Sequence, residues 1–161
     1  MAGFIKFDGV DGDSTDKNHK KWSFIDSFNQ VISVPMSGTG SRARRGDTVF
    51  HDVQVVKHVD AASPKLAQYT ASGMVFAKVQ IEVTGSQTDK GRETYFAYEL
   101  KNVRISSYNV GGATTDQTTT VPSETLMLNF EEIKNTYTGA TPDGKPGGKV
   151  EYTWKVQEGQ K

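Results

Sequence analysis

"MVFAKVQIEVT", residues 74–84, decides how this chain folds. Val75, Ala77, Val79, Ile81 and Val83 recur at every second position, with Lys78, Gln80, Glu82 and Thr84 between them. A period of two is a strand with one face in a core and the other toward water. The same alternation returns in "KVEYTWKV" (149–156), where Val150, Tyr152, Trp154 and Val156 take the inward side. Two further segments alternate and then change parity. Phe96, Tyr98 and Leu100 give way to Val103 and Ile105, and Leu126, Leu128 and Phe130 give way to Ile133. A one-residue slip is what a β-bulge absorbs, so bulges or breaks are expected near Lys101–Asn102 and Glu131–Glu132, in a strongly curved sheet.

Working outward, strands are expected at Phe4–Phe7, Trp22–Ile32 and Val49–Val59, joined by links rich in Gly, Asp, Ser and Thr. One segment asks to be a helix, "HVDAASPKLAQYTASG" (58–73). Ser63 is placed to cap it, Pro64 stands where a missing amide costs nothing, Leu66 and Tyr69 share a side, and Gly73 ends it, giving a helix over about residues 63–72. A helix this short draws its stability from packing on a sheet. The expected class is therefore mainly β with one short flanking helix, and 161 residues make a single domain, 1–161.

Nineteen Lys plus Arg balance nineteen Asp plus Glu, so no overall field draws the chain toward nucleic acid or an anionic membrane. The absence of cysteine removes disulfides and thiolate chemistry together. "MAGFIKFDGVDGD" meets Asp8 before an apolar stretch can form, so a chain made in the cytoplasm with no cleavable N-terminal signal is expected.

"GATPDGKPGG" (139–148) has the spacing of a phosphate-binding loop through Gly139, Gly144 and Lys145, but Pro146 stands where the hydroxyl that ligates magnesium should be. The stretch reads instead as the connection into the last strand, with Asp-Gly supplying positive φ. Asp8, Asp11, Asp13 and Asp16 do not follow the calcium-loop pattern, since counting from Asp11 the sixth position is Asp16 and the twelfth is Trp22. They read as a turn whose carboxylates take local amides. His19, His51 and His58 lack metal-pair spacing and read as structural or surface residues, so no metal and no cofactor is expected. No Gly-x-Ser-x-Gly elbow appears, and no catalytic residue is assigned. "SRARR" (41–45) is the one basic knot; it reads as a solvated loop or, more sharply, as a loop that docks on an acidic surface of another copy. Trp22, Trp154 and six tyrosines leave a carbohydrate-binding β-sandwich as an alternative reading.

Several stretches together resemble one family: "FIKFDGVDGDSTDKNH", "VFHDVQVVKHVDAASPKL", "YFAYELKNVRISSYNVGG", "PSETLMLNFEEIKNTY" and "KVEYTWKV", in order across nearly the whole chain. The chain is similar to the Hcp (haemolysin-coregulated protein) family, the tube component of type VI secretion. "VVKHVDAASPKL" (55–66) is the most specific piece; Gly12-Asp13-Ser14, where Gly-Glu-Ser is common, and "SFNQV" (27–31) depart from the pattern. The resemblance implies a compact, closed β-barrel of two sheets like that of phage tail-tube proteins. It also implies a structural, non-enzymatic role: hexameric rings that stack into a tube, partners in a sheath and tip, effector proteins in the lumen, and secretion without a signal peptide. By position, the loop that reaches a neighbouring subunit in the family is here residues 37–47, with Ser41, Arg42, Arg44, Arg45 and Asp47 as the expected interface residues.

Overall fold

The computed structural model describes residues 1–86, 92–115, 118–140 and 146–156. In chain order they form β1 (Ala2–Phe7), β2 (Ser23–Ile25), β3 (Ser27–Asn29), β4 (Ile32–Ser33), β5 (Met36–Ser37), a 3-10 turn at Gly40–Arg42, β6 (Arg44–Arg45), β7 (Val49–Phe50) and β8 (Val53–His58). There follow α1 (Ser63–Ser72), β9 (Phe76–Ser86), β10 (Arg92–Gly111), β11 (Thr114–Thr115), β12 (Thr118–Thr119), β13 (Ser123–Asn129), β14 (Glu132–Ala140) and β15 (Pro146–Lys155). The segments expected as single strands over 22–32 and 49–59 are thus each divided. The Asp-Gly turn expected within 139–148 lies outside the described residues, but its flanks Ala140 and Pro146 are paired strand ends rather than a helix start. The chain from Pro146 onward is strand, so no helix N-terminus begins there to face a phosphate.

All the ladders are antiparallel, and β10 organises them. Its first half pairs with β9 on one side and β14 on the other, and its second half pairs with β13. One set of strands runs β2-β1-β9-β10-β14-β15 and the other β10-β13-β8-β3, with β10 common to both. The ends of this order, β2 and β3, are linked by the chain turning at Asp26, whose amide bonds the Val56 carbonyl at 2.8 Å. No ladder joins them, so the sheets do not close into a barrel, contrary to the expectation drawn from the resemblance. A three-residue strand on each side of Asp26 leaves too little backbone to pair both neighbours along their length.

The parity changes come out as breaks shared by neighbouring strands. On β10 the inward residues step from Leu100 to Val103, and on β9, its partner, from Val79 to Phe76, with Leu100 opposite Val79 and Val103 opposite Phe76. The third strand steps from Phe130 to Ile133 at the gap between β13 and β14. Asn102, at φ 52, carries the turn in the left-handed region, which Asn tolerates better than most residues. The strands change face together, and the sheet bends there as a unit. Val75 and Ala77, expected inward, are exposed for the same reason, and Phe76 takes the core position. True register shifts fall elsewhere, at Thr94/Phe96, Ile105/Ser107 and Thr138/Ala140.

One core joins Ile5 and Phe7 of β1, Val53 and Val55 of β8, Val79 and Ile81 of β9, Leu100 of β10, Leu126 and Leu128 of β13, and Leu66 of α1. The helix has the bounds the sequence gives, and Gly73 closes it at φ 70, a left-handed position that Gly takes without strain. Gly12 is fixed by proximity, since a Cβ there would meet the Trp22 carbonyl oxygen at 2.6 Å. No helix among the described residues is long and apolar enough to cross a membrane.

Candidate interaction surface

Residues 31–50 form a long hairpin. Ile32 pairs with Phe50 and Ser33 with Val49, and further out Met36 pairs with Arg45 and Ser37 with Arg44. Both ladders are internal to the hairpin, so β4 to β7 add nothing to the main sheet. The base is anchored by Phe50, which stacks on Trp154 at 5.5 Å and meets Phe130 edge-on at 6.4 Å. Toward the tip the Gly46 amide bonds the Pro35 carbonyl at 2.7 Å, and Gly38 and Gly40 turn the chain at φ 93 and 62.

The five residues expected at an interface all sit on this tip. Ser41 and Arg42 lie in the 3-10 turn, Arg44 and Arg45 in β6, and Asp47 just beyond, every one of them exposed. Arg45 donates to the Thr48 hydroxyl at 2.9 Å. Among the described residues, no carboxylate pairs with Arg42, Arg44 or Arg45. Guanidinium groups without a local anion are free to bind carboxylates bidentately on another surface.

The segment quoted for the resemblance, 55–66, behaves in the opposite way. Lys57 and Glu124 are cross-strand partners on β8 and β13, both fully buried, and they form an ion pair. Lys57 Nζ also donates to Asp60 Oδ1 and to the His58 carbonyl, each at 2.9 Å. Ser63 donates its hydroxyl to Glu124 Oε1 at 2.9 Å and accepts the Asp60 amide at 2.9 Å. Tyr108 donates to Glu124 Oε2 at 2.5 Å, and its hydroxyl is pushed up to about 12 by burial and by that carboxylate. Ser63 therefore does not cap α1 as expected; Ala62 is the cap residue, and the Ser63 hydroxyl ties the first turn to the sheet. Neither charged residue was singled out from the sequence. The signal was present: Lys57 shares its parity with Val53 and Val55, and Glu124 shares its parity with Leu126 and Leu128.

The N-terminal loop is pinned in a third manner. His19 is buried, stacks on Phe4 at 4.2 Å, and places Nδ1 2.9 Å from Asp16 and Nε2 2.7 Å from Glu82. Its hydrogen bond holds the Asp16 carboxyl below the usual range. Asp16 takes the local amides of Asn18 and His19 as expected, whereas Asp11 pairs with Lys6 and Lys21, and Asp13 accepts the distant Ala61 amide at 3.2 Å, tying the loop to the chain just before α1. His51 lies 2.9 Å from the Ser33 hydroxyl, and His58 pairs with Asp26. No cluster of three metal-ligating side chains exists among the described residues. Trp154 packs against the core and under Phe50, and Trp22 is half-buried and meets His19 edge-on at 4.9 Å, whereas Tyr137 and Tyr152 are 50% and 41% exposed.

The domain has two β-sheets, its buried polar groups pin its own elements, and its long hairpin carries arginines that pair with no carboxylate among the described residues. The chain belongs to the Hcp family of type VI secretion: the family model described as "Type VI secretion system effector, Hcp" matches residues 4–137. Among solved structures, one described as a type six secretion system protein is 29% identical, with a TM-score of 0.88 over 99% of this chain and 98% of its own. Hcp1 from Salmonella typhimurium shares the fold at 21% identity, with a TM-score of 0.78 over 99% of this chain and 97% of its own. A type VI secretion system effector from Yersinia pestis shares it at 21% identity, with a TM-score of 0.74 over 96% and 99%. No curated protein matches the chain in sequence.

Proposed function

We propose that this chain is the tube subunit of a type VI secretion machine. Six copies close head-to-tail into a ring, rings stack into a tube, and effector proteins travel in the lumen while a sheath drives the tube and its tip outward. A head-to-tail ring needs two different surfaces on every subunit, one to give and one to receive. The observation that carries the reading is the hairpin of residues 31–50, whose ladders are internal to it and whose tip holds Arg42, Arg44 and Arg45 with no carboxylate partner among the described residues. Such a projection contributes little to its own domain and has the form of an arm. In this reading the chain leaves the cell through the machine itself and performs no catalysis.

The test is mass in solution. Light scattering on the purified chain is expected to give a species of about 100 kDa, six times the subunit's 17.7 kDa. A species of one subunit's mass at every concentration overturns the proposal.

A further inference from the structure

The loop after β1 holds two Asp-Gly steps, Asp8-Gly9 and Asp11-Gly12, and the fold treats them in opposite ways. At such a step the glycine amide can reach the aspartate carboxyl, because glycine has no side chain to obstruct the approach. Attack of the amide nitrogen on Cγ forms a nitrogen–carbon bond, and the carboxyl hydroxyl leaves with the amide proton as water. Water then opens the five-membered imide at either carbonyl. Opening at Cγ restores aspartate; opening at the main-chain carbonyl leaves the backbone running through the β-carbon, with the α-carboxylate as the side group. No oxidant, reductant or cofactor enters, and the product has the mass of the starting chain.

Asp11-Gly12 is held against this reaction. The Gly12 amide donates to the Lys21 carbonyl at 2.8 Å, and the residue is wedged so closely that a Cβ there would meet the Ser23 amide nitrogen at 2.8 Å. Its Asp11 carboxylate pairs with Lys6 and Lys21, and the hydrogen bond from Lys6, then that from Lys21, holds the group below the usual carboxylate range. An ionised carboxylate has no hydroxyl to expel. Asp8-Gly9 has none of these restraints. Both residues are exposed, the Asp8 carboxylate and the Gly9 amide have no partner among the described residues, and a Cβ at Gly9 would meet nothing within 4 Å. The flanks are fixed, with the Asp8 amide on the Lys78 carbonyl and the Val10 amide on the Phe7 carbonyl, each at 3.1 Å. Between them the Asp8–Gly9 peptide is the apex of the turn, with Gly9 at φ 78. We propose that Asp8-Gly9 is a site of spontaneous covalent modification in the folded chain, its aspartate isomerising to the β-linked form while Asp11-Gly12 is protected. The change puts one more backbone carbon into the turn that carries Val10 into the core and whose Val10 carbonyl accepts Lys6 Nζ at 2.9 Å.

Ageing the full chain in mildly acidic buffer tests this, with one sample folded and a second in concentrated guanidinium chloride. Trypsin releases both steps in a single peptide, residues 7–17, between Lys6 and Lys17. Electron-transfer fragmentation of that peptide distinguishes β-linked from ordinary aspartate at each position, so each step is the other's internal standard. In the folded sample Asp8 is expected to convert about tenfold faster than Asp11, since attack by the Gly12 amide must first break a hydrogen bond. In the denatured sample the two rates are expected to converge, because both steps are then free. Asp8→Glu keeps the charge but would have to close a larger ring, and it is expected to abolish the modification at that position. Equal rates in the folded sample overturn the proposal. So does an Asp8 that stays intact in the folded chain while the denatured chain converts, and so does a ratio that guanidinium leaves unchanged, which would place the difference in the sequence and not in the fold. The remaining Asp-Gly step, Asp143-Gly144, lies outside the described residues and in another tryptic peptide, so it does not enter the comparison.

Discussion

Two regions of this molecule carry cations in opposite ways. At the start of α1, Lys57 is fully buried and every polar group around it has a partner, with Glu124, Asp60, Ser63 and Tyr108 sharing the hydrogen bonds. At the hairpin tip, Arg42, Arg44 and Arg45 stand in water with one hydroxyl contact among them. A desolvated charge is tolerable only when its partners are complete, and that completeness fixes a single docking of the helix on the sheet. An exposed charge adds little to its own fold, and it keeps its hydrogen-bonding capacity for another chain. Interior charge here sets geometry, and the surface charge at the tip takes little part in it.

The largest effect follows from breaking the first region. Lys57→Met leaves Glu124 buried without its cation, and denaturant unfolding is expected to show a loss of about 3–5 kcal/mol. Lys57→Met combined with Glu124→Leu removes both charges, and part of that loss is expected to return; the rest stays because Ser63 and Tyr108 lose the carboxylate they donate to. A single variant with unchanged stability would show that the pair is not buried in solution.

A smaller effect comes from the edge of the same network. Tyr108→Phe deletes a hydrogen bond to a carboxylate and is expected to cost about 1.5–3 kcal/mol, measured in the same way. The raised pKa of Tyr108 gives the pH dependence its sign. The folded protein holds the phenol proton more tightly than the unfolded chain, so this stabilisation is complete below pH 10 and falls as the pH rises toward about 12. Thermal unfolding across that interval is expected to show a steeper decline for the parent chain than for Tyr108→Phe.

The smallest effect on stability belongs to the second region. Replacing Arg42, Arg44 and Arg45 by Ala is expected to move the unfolding free energy by no more than about 0.5 kcal/mol. Ring stacking seen by electron microscopy is expected to fall, and stacking of the parent chain to weaken in high salt, because exposed ion pairs are screened. Unchanged stacking at both ionic strengths would remove these arginines from the contact. A large loss of stability would erase the distinction between the two regions.

Much of the fold was legible in the sequence because alternation is a local signal. Val79, Ile81 and Val83 mark β9, and the helix bounds follow from Pro64 and Gly73. The parity changes at Leu100–Val103 and Phe130–Ile133 were also visible, but a single strand cannot reveal that its neighbour slips at the same rung. The sequence therefore suggested bulges or breaks strand by strand where several strands bend together, and it put Val75 and Ala77 inside where Phe76 sits. Ser41, Arg42, Arg44, Arg45 and Asp47 were expected at the surface because a basic knot in a Gly-rich stretch has no place in a core, and all five are exposed on the hairpin tip. The buried network was missed because Lys57 and Glu124 are 67 positions apart, and only strand register makes them partners. The exposure of Tyr152 and Val150 was beyond reach as well. Alternation assigns Tyr152 and Val150 to a face but does not say whether a second layer covers it.

The twenty residues of β10 run through both sheets, flanked by β9, β14 and β13. A pull along that strand loads several ladders side by side, in shear. They must yield together instead of opening one rung after another. Although the strand bends at Asn102, the domain is consequently braced through both of its sheets by one continuous run of backbone.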